Sequence, residues 1–122
     1  MSADPPTTNH IPPTTLIKAV RTDAAFITDV DSFPPDPHNF QFWWLGQSGY
    51  LIQYMGERLL IDPYLSDSLT KKYAGTDKPH VRMSERVVDP ALLRGITVIT
   101  SSHNHTDHLD AETLQPILAN NS

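Results

Sequence analysis

The chain has 122 residues with nine Lys and Arg against fourteen Asp and Glu, a formal net charge of −5. That length suits one small domain. The acidic balance leaves no electrostatic footprint for nucleic acid or for an anionic membrane surface. There is no cysteine, which excludes a disulfide framework, thiolate zinc sites and a cysteine nucleophile; any metal must be held by nitrogen and oxygen.

In chain order, residues 1–39 read as a proline-rich arm carrying one candidate helix. Residues 1–15 hold Pro5, Pro6, Pro12 and Pro13 among Thr, Asn and Ser, the composition of an extended segment. No basic stretch followed by an apolar one is present to mark a secretory signal, and no run approaches the roughly 18 apolar residues of a membrane span. A cytoplasmic location is therefore the expectation. Over 15–29, Leu16, Ile17, Val20, Ala24 and Ile27 recur at helical spacing, with Thr14 or Thr15 as cap. Three prolines in "SFPPDPHN" then break the chain.

Residues 40–122 form the second unit. "FQFWWL" and "GYLIQYM" are aromatic and β-branched and read as strands. A hairpin turn in the Met55-Gly56-Glu57-Arg58 region leads into a third strand, "ERLLID", whose Leu59-Leu60-Ile61 run predicts burial on both faces and which ends at Asp62-Pro63. Residues 64–88 are irregular, with a short helix ending at Gly75 and a loop or edge strand after it. "DPALLRG" carries helix signals: Asp89 as cap, Pro90 at the first position, Gly95 past the end. "ITVIT" (96–100) predicts a buried strand. Asp110 caps the turn "AETL", and Pro116 is expected to open a second helix rather than interrupt one. Strands on both sides of helical connections make the fold class α/β.

The chemistry concentrates in "SSHNHTDHLD", residues 101–110, with three histidines and two carboxylates. Alternate residues leaving a strand point the same way, so His103 and His105 can face one point. Asp107 and His108 follow where the chain turns back. Imidazole and carboxylate are the ligands for Zn²⁺, Mn²⁺ or Fe²⁺ when thiolate is absent. The end of a strand is also where open α/β sheets place their sites. A solvated polar loop is the competing explanation, and a single histidine would favour it; four residues at fixed spacing behind a strand favour the metal.

"HNHTDH", with "FWWLGQSGYLIQ", "LLIDPYLSDS" and "VVDPALLRGITVITSSHNHTDHLD", resembles the metallo-β-lactamase-fold hydrolases and their H-x-H-x-D-H signature. The likeness is to the branch that includes L-ascorbate-6-phosphate lactonase. It implies a metallo-β-lactamase-like αββα sandwich, of which this chain is expected to be the N-terminal half. It also implies a hydrolase that cleaves an ester, lactone or phosphoester bond in a small, possibly anionic molecule through a metal-activated hydroxide. His103 and His105 would bind a first divalent metal, Zn or Mn, and Asp107 and His108 a second; Asp107 would also orient the hydroxide. Asp62 matches the family's acidic position and would support a ligand from behind.

The family's later ligands have no counterpart after His108, where the only acids are Asp110 and Glu112. His10, His38 and His80 sit in unsuitable contexts. The alternative function is therefore a non-catalytic half-domain with an incomplete metal site. Its uncovered sheet would associate with itself or with a complementary C-terminal half.

Trp43-Trp44 is expected to place one ring in the core and one on the other face. "LGQSG" lacks the lysine and spacing of a phosphate loop and reads as a tight connection near the site, with Gln47 and Tyr64 as candidate substrate contacts. Ser48 is not in a nucleophile elbow, and Lys71-Lys72 reads as a solvated face.

Overall fold

The computed structural model describes residues 16–78, 82 and 84–121. The arm over 1–15 and His80 lie outside the described residues.

Helix α1 spans Asp23–Asp31. It begins eight residues later than the apolar spacing predicts. Ile17 and Val20, two of the residues behind that prediction, are 63% and 92% exposed. Residues 16–22 are instead non-helical and bend at Val20-Arg21, with a parallel bridge between Ile17 and Ser84 and the Glu85 amide donating to the Ile17 carbonyl. Phe26 and Val30 are the buried residues of α1, four apart as a helix face requires, and both enter the main core.

Four strands follow: β1 (Gln41–Trp44), β2 (Tyr50–Tyr54), β3 (Glu57–Ile61) and β4 (Val98–Thr100). They pair in the order β1-β2-β3-β4. The first three are antiparallel neighbours, and β4 is parallel to β3. Met55 and Gly56 join β2 to β3 with φ of 50° and 83°, the two positive values of the turn that matches strand twist in a two-residue hairpin. Helix α2 spans Ser68–Tyr73, a single 3₁₀ turn covers Pro90–Leu92, and α3 spans Ala111–Asn120. Asp89 caps the 3₁₀ turn by accepting from the Ala91 amide, so the predicted cap holds while the helix is a single turn.

The strand registers sort the sheet into two faces. One carries Trp43, Leu51, Gln53, Leu60 and Ile99 and packs on α1 and the rest of the core. There the Trp43 indole meets Phe26 and Phe33 edge-on and donates to Asp29 Oδ2. The other face carries Phe42, Trp44, Tyr50, Ile52, Tyr54, Leu59, Ile61 and Val98. No described element covers it: Phe42 and Trp44 are about 60% exposed and Val98 is 48% exposed. Two expectations change as a result. β3 is fully buried at Leu60 alone, with Leu59 and Ile61 half-exposed. Of "ITVIT", only Val98–Thr100 forms a strand, and it is an edge strand, not a buried one, although Ile96 is in the core.

α3 is one continuous helix with Pro116 inside it, against the expectation that Pro116 opens a new one. Asp110 starts the helix as cap, and Thr113 and Ile117 fix its buried side. The missing amide of Pro116 leaves the Glu112 carbonyl without its i+4 donor.

Candidate metal-binding loop

β1, β3 and β4 run in one direction, so their carboxyl ends share one edge of the sheet. Three loops leave from that edge: 45–49, 62–67 and 101–110. The 45–49 loop closes on itself through Leu45 N to Gly49 O and Gly49 N to Gly46 O. It sits directly on the next loop, since a Cβ at Gly49 would lie 3.0 Å from the Asp62 carbonyl. Gly46, at φ +88°, also faces Ser84 and the guanidinium of Arg82. Arg82 Nη2 is buried there with no hydrogen-bond acceptor among the described residues.

Asp62 leaves β3 in the left-handed region, φ 45°, a conformation Asp tolerates better than most residues. This turns its 5%-exposed side chain under the histidine loop. Oδ1 accepts the Ser102 amide at 2.6 Å, and Oδ2 accepts the Ser102 hydroxyl at 2.8 Å. His108 Nδ1 lies 2.8 Å from Oδ2. Burial raises the carboxyl's pKa; the hydrogen bonds from His108 and Ser102, with the charge of His108, more than offset that and hold it below its ordinary value. An ionised Asp62 only accepts, so the proton of this pair belongs to His108 Nδ1. The Ser102 hydrogen is spent on Asp62, and its oxygen, 2.9 Å from His103 Nδ1, accepts from that ring in turn. With Nδ1 engaged in this way, Nε2 is the nitrogen that each ring, when neutral, has left to offer a lone pair.

The loop draws the sequence-predicted residues together. The His103 ring lies 3.9 Å from that of His108 and 4.6 Å from that of His105, centroid to centroid. Asp107 Oδ1 is 3.7 Å from His108 Nε2. His103 and His105 are exposed, while Asp107 and His108 are half-buried. The His108 and Leu109 amides both donate to the His105 carbonyl at 2.8 Å, and the Ser101 hydroxyl reaches the His103 and His108 carbonyls. The donor types fit a divalent ion, and a histidine proton turned onto a carboxylate is the usual backing of a metal-ligating imidazole. Among the described residues, however, no group of three or more such side chains is arranged to hold an ion.

Beside it opens a cleft of about 380 Å³ lined by Leu69, Lys72, Tyr73, Asn104, His105, Thr106 and Asp107. Lys72 is exposed, as its reading as a solvated residue expects, and it also lines the cleft wall, with its ammonium 5.4 Å from the Tyr73 ring centre. A more apolar cavity of about 280 Å³ lies between residues 17–21, α1 and β1, and no residue of the histidine loop lines it.

Of the two candidate substrate contacts, Tyr64 is fully buried. Its hydroxyl accepts the Leu69 amide at 3.0 Å, and burial pushes its phenol above the ordinary range. It shapes the loop from inside and is not placed to meet a substrate. Gln47 is half-buried at φ 51°, and its carbonyl accepts the Trp44 indole N–H. Sequence reasoning missed Ser102, the hydroxyl that joins Asp62, His103 and His108. Its one signal is position, immediately before the first histidine.

The family profile described as "Beta-lactamase superfamily domain" matches residues 41–120. The chain is 40% identical over 72 residues to the mitochondrial N-acyl-phosphatidylethanolamine-hydrolyzing phospholipase D of Saccharomyces cerevisiae, covering 59% of this chain and 14% of that protein. It is 27% identical over 100 residues to a probable L-ascorbate-6-phosphate lactonase of Escherichia coli O127:H6, covering 69% of this chain and 28% of that protein. A Shigella dysenteriae protein of the same description is 25% identical over the same shares. The chain thus spans less than a third of the length of these curated relatives. The match runs from β1 through α3, taking in the Asp62 turn and the histidine loop, and the chain belongs to the beta-lactamase superfamily.

Proposed function

We propose that this chain supplies the first half of the active centre of a metal-dependent hydrolase acting on an ester, lactone or phosphoester bond in a small anionic molecule. The observation that carries the reading is the Asp62–His108 pair at the carboxyl ends of β3 and β4, which leaves His108 Nε2 as a lone pair within the His103, His105 and Asp107 cluster. His103, His105, Asp107 and His108 would hold Zn²⁺ or Mn²⁺, up to two ions once the remaining ligands are present. When bound, such ions lower the pKa of coordinated water and polarise the substrate's oxygen.

The chain's own groups do the rest. Asp62 fixes the proton of His108 on Nδ1. Asp107, half-exposed at the cleft, accepts a hydrogen bond from the attacking water and orients it. Lys72 on the cleft wall attracts an anionic substrate, and Leu69 and Tyr73 exclude water behind it. The lactonase and phospholipase descriptions of the relatives support bond hydrolysis as the reaction class.

The missing ligands come, in this reading, from further polypeptide that lies over the open aromatic face of the sheet, a complementary C-terminal half. Titration of the metal-free chain with Zn²⁺ and Mn²⁺, beside His103→Ala, tests the metal. Turnover of a lactone and phosphoester panel by a polypeptide that includes the remaining ligands tests the reaction. Hydrolysis retained after His103→Ala and Asp107→Ala would sink it.

A second reading is a non-catalytic half-domain. Under that reading the chain binds Zn²⁺ only weakly, and adding a complementary half changes nothing.

A further inference from the structure

The histidine loop is held from both ends by one short stretch of chain, residues 62–68. At the start of that stretch, Asp62 takes hold of Ser102 and His108. At its end, the hydroxyls of Ser66 and Ser68 reach Asp110, at 2.6 and 2.8 Å. Asp110 stands two residues beyond His108 and is 2% exposed. Its carboxylate also accepts from the Thr113 hydroxyl at 2.6 Å and the Glu112 amide at 3.3 Å.

A helix cap needs only the last of these bonds. The two serines lie outside α3, more than 40 positions back in the chain, and satisfy none of its backbone amides. Thr113 strengthens the same junction, since its Oγ1 accepts the Leu65 amide at 2.8 Å. The stretch itself is firmly seated. Tyr64 and Leu65 are fully buried, and Arg82 Nη1 donates to the Tyr64 and Ser66 carbonyls. Between the anchors, His103 and His105 are exposed, so the burial of their own side chains does not order them.

We propose that Asp110 is a positioning residue for the metal loop, acting with Ser66 and Ser68 to fix the exit of the loop and so deliver the His108 ring to Asp62. The purpose of the loop rests on the metal-binding reading; the clamp itself does not.

The experiment uses the metal-free 122-residue chain. Its readouts are the ring ¹⁵N shifts of His108, which report the tautomer, and amide hydrogen exchange. The double variant Ser66→Ala/Ser68→Ala removes the clamp and leaves both of the cap's bonds within α3. Losing one such bond is expected to speed exchange of the His108 and Leu109 amides by about tenfold or more. It is also expected to mix the His108 tautomers while amide protection in α3 stays at the wild-type level. Asp110→Ala should loosen both loop and helix, and Ser66→Thr, which keeps the hydroxyl, should behave as wild type. If the double variant fails to fold, Ser68→Ala alone must show the same loop effect in smaller degree. Wild-type His108 signals in the serine variants, with Asp110→Ala loosening only α3, would reduce Asp110 to a cap and overturn the proposal. Zn²⁺ titration of the wild type is read separately: its failure would remove the metal reading and leave the clamp result standing.

Discussion

Asp62 and His108 lie 46 positions apart in the chain and meet across 2.8 Å. The contact requires β4 to add beside β3 in parallel, and it requires Asp62 to adopt a positive φ at the strand's end. It makes the tautomer of one histidine a property of the sheet scaffold, set before any ion arrives.

Asp62→Asn tests that relation cleanly, because Asn tolerates the same φ whereas Ala adds backbone strain. The amide keeps one acceptor for Ser102 and loses the charge that holds the His108 proton. Zinc affinity measured by calorimetry should fall about 10–100-fold. Stability in urea should fall by about 1–3 kcal/mol, since a buried, charge-assisted network is broken. Unchanged affinity would mean that His108 does not depend on Asp62 for its orientation.

His103→Ala and Asp107→Ala should separate binding from folding. His103 is exposed and Asp107 half-buried, and neither supports the core. Urea midpoints should therefore stay close to the wild type, within about 0.5 kcal/mol, while bound zinc by elemental analysis falls to background. A large loss of stability in either variant would reassign these side chains to the fold.

The features of the fold and of the candidate site that were legible in the sequence are local ones. H-x-H-x-D-H, the Asp62-Pro63 strand end, the Met55-Gly56 turn and the Asp89 cap each declare themselves within a few residues. The illegible parts depend on what packs where. Ile17 and Val20 carry helical spacing yet face solvent, because the chain there bridges to Ser84. Val98 has the composition of a buried strand residue but stands on a face that no described element covers. Ser102 and Asp110 gain their roles only when β3 and β4 are paired, and nothing in the residues around them states which carboxylate or hydroxyl they will meet. Pro116 misleads because helix propensity is a weak prior that the tertiary burial of Thr113 and Ile117 overrides.

Lys72 gives the cleft a test of substrate charge. Its ammonium is held near the Tyr73 ring, on the wall shared with His105 and Asp107. In a polypeptide that turns over, Lys72→Ala should raise KM for anionic substrates several-fold and leave kcat nearly unchanged, as loss of uniform binding does. Neutral esters should show no change. An equal effect on both substrate classes would remove the electrostatic role.

Pro116 interrupts a helix whose buried side is otherwise in place. Pro116→Ala restores a donor for the Glu112 carbonyl, and alanine is the better helix former by about 3 kcal/mol. The residue is half-buried, so some lost packing offsets the gain. Thermal and urea unfolding should show a net stabilisation of about 1–2 kcal/mol. A destabilised variant would mean that the pyrrolidine ring contributes packing that the helix cannot do without.

The open face of the sheet sets the last prediction. Phe42 and Val98 stand on opposite edge strands of that face, 62% and 48% exposed, and the Phe42 ring continues into Phe40 and Tyr50 at 6.3 Å each. A contiguous aromatic surface of this kind is an association site unless covered. The isolated chain should therefore self-associate in sedimentation velocity as its concentration rises. Phe42→Thr/Val98→Thr leaves good strand formers at both positions while removing apolar area worth about 1.5–3 kcal/mol per side chain when buried. The double variant should shift the distribution to monomer with little change in unfolding midpoint, because neither side chain reaches the core. If association instead runs through the unpaired backbone of β1 or β4, the variant will associate as before, and proline at an outward-facing amide of either edge will be what abolishes it.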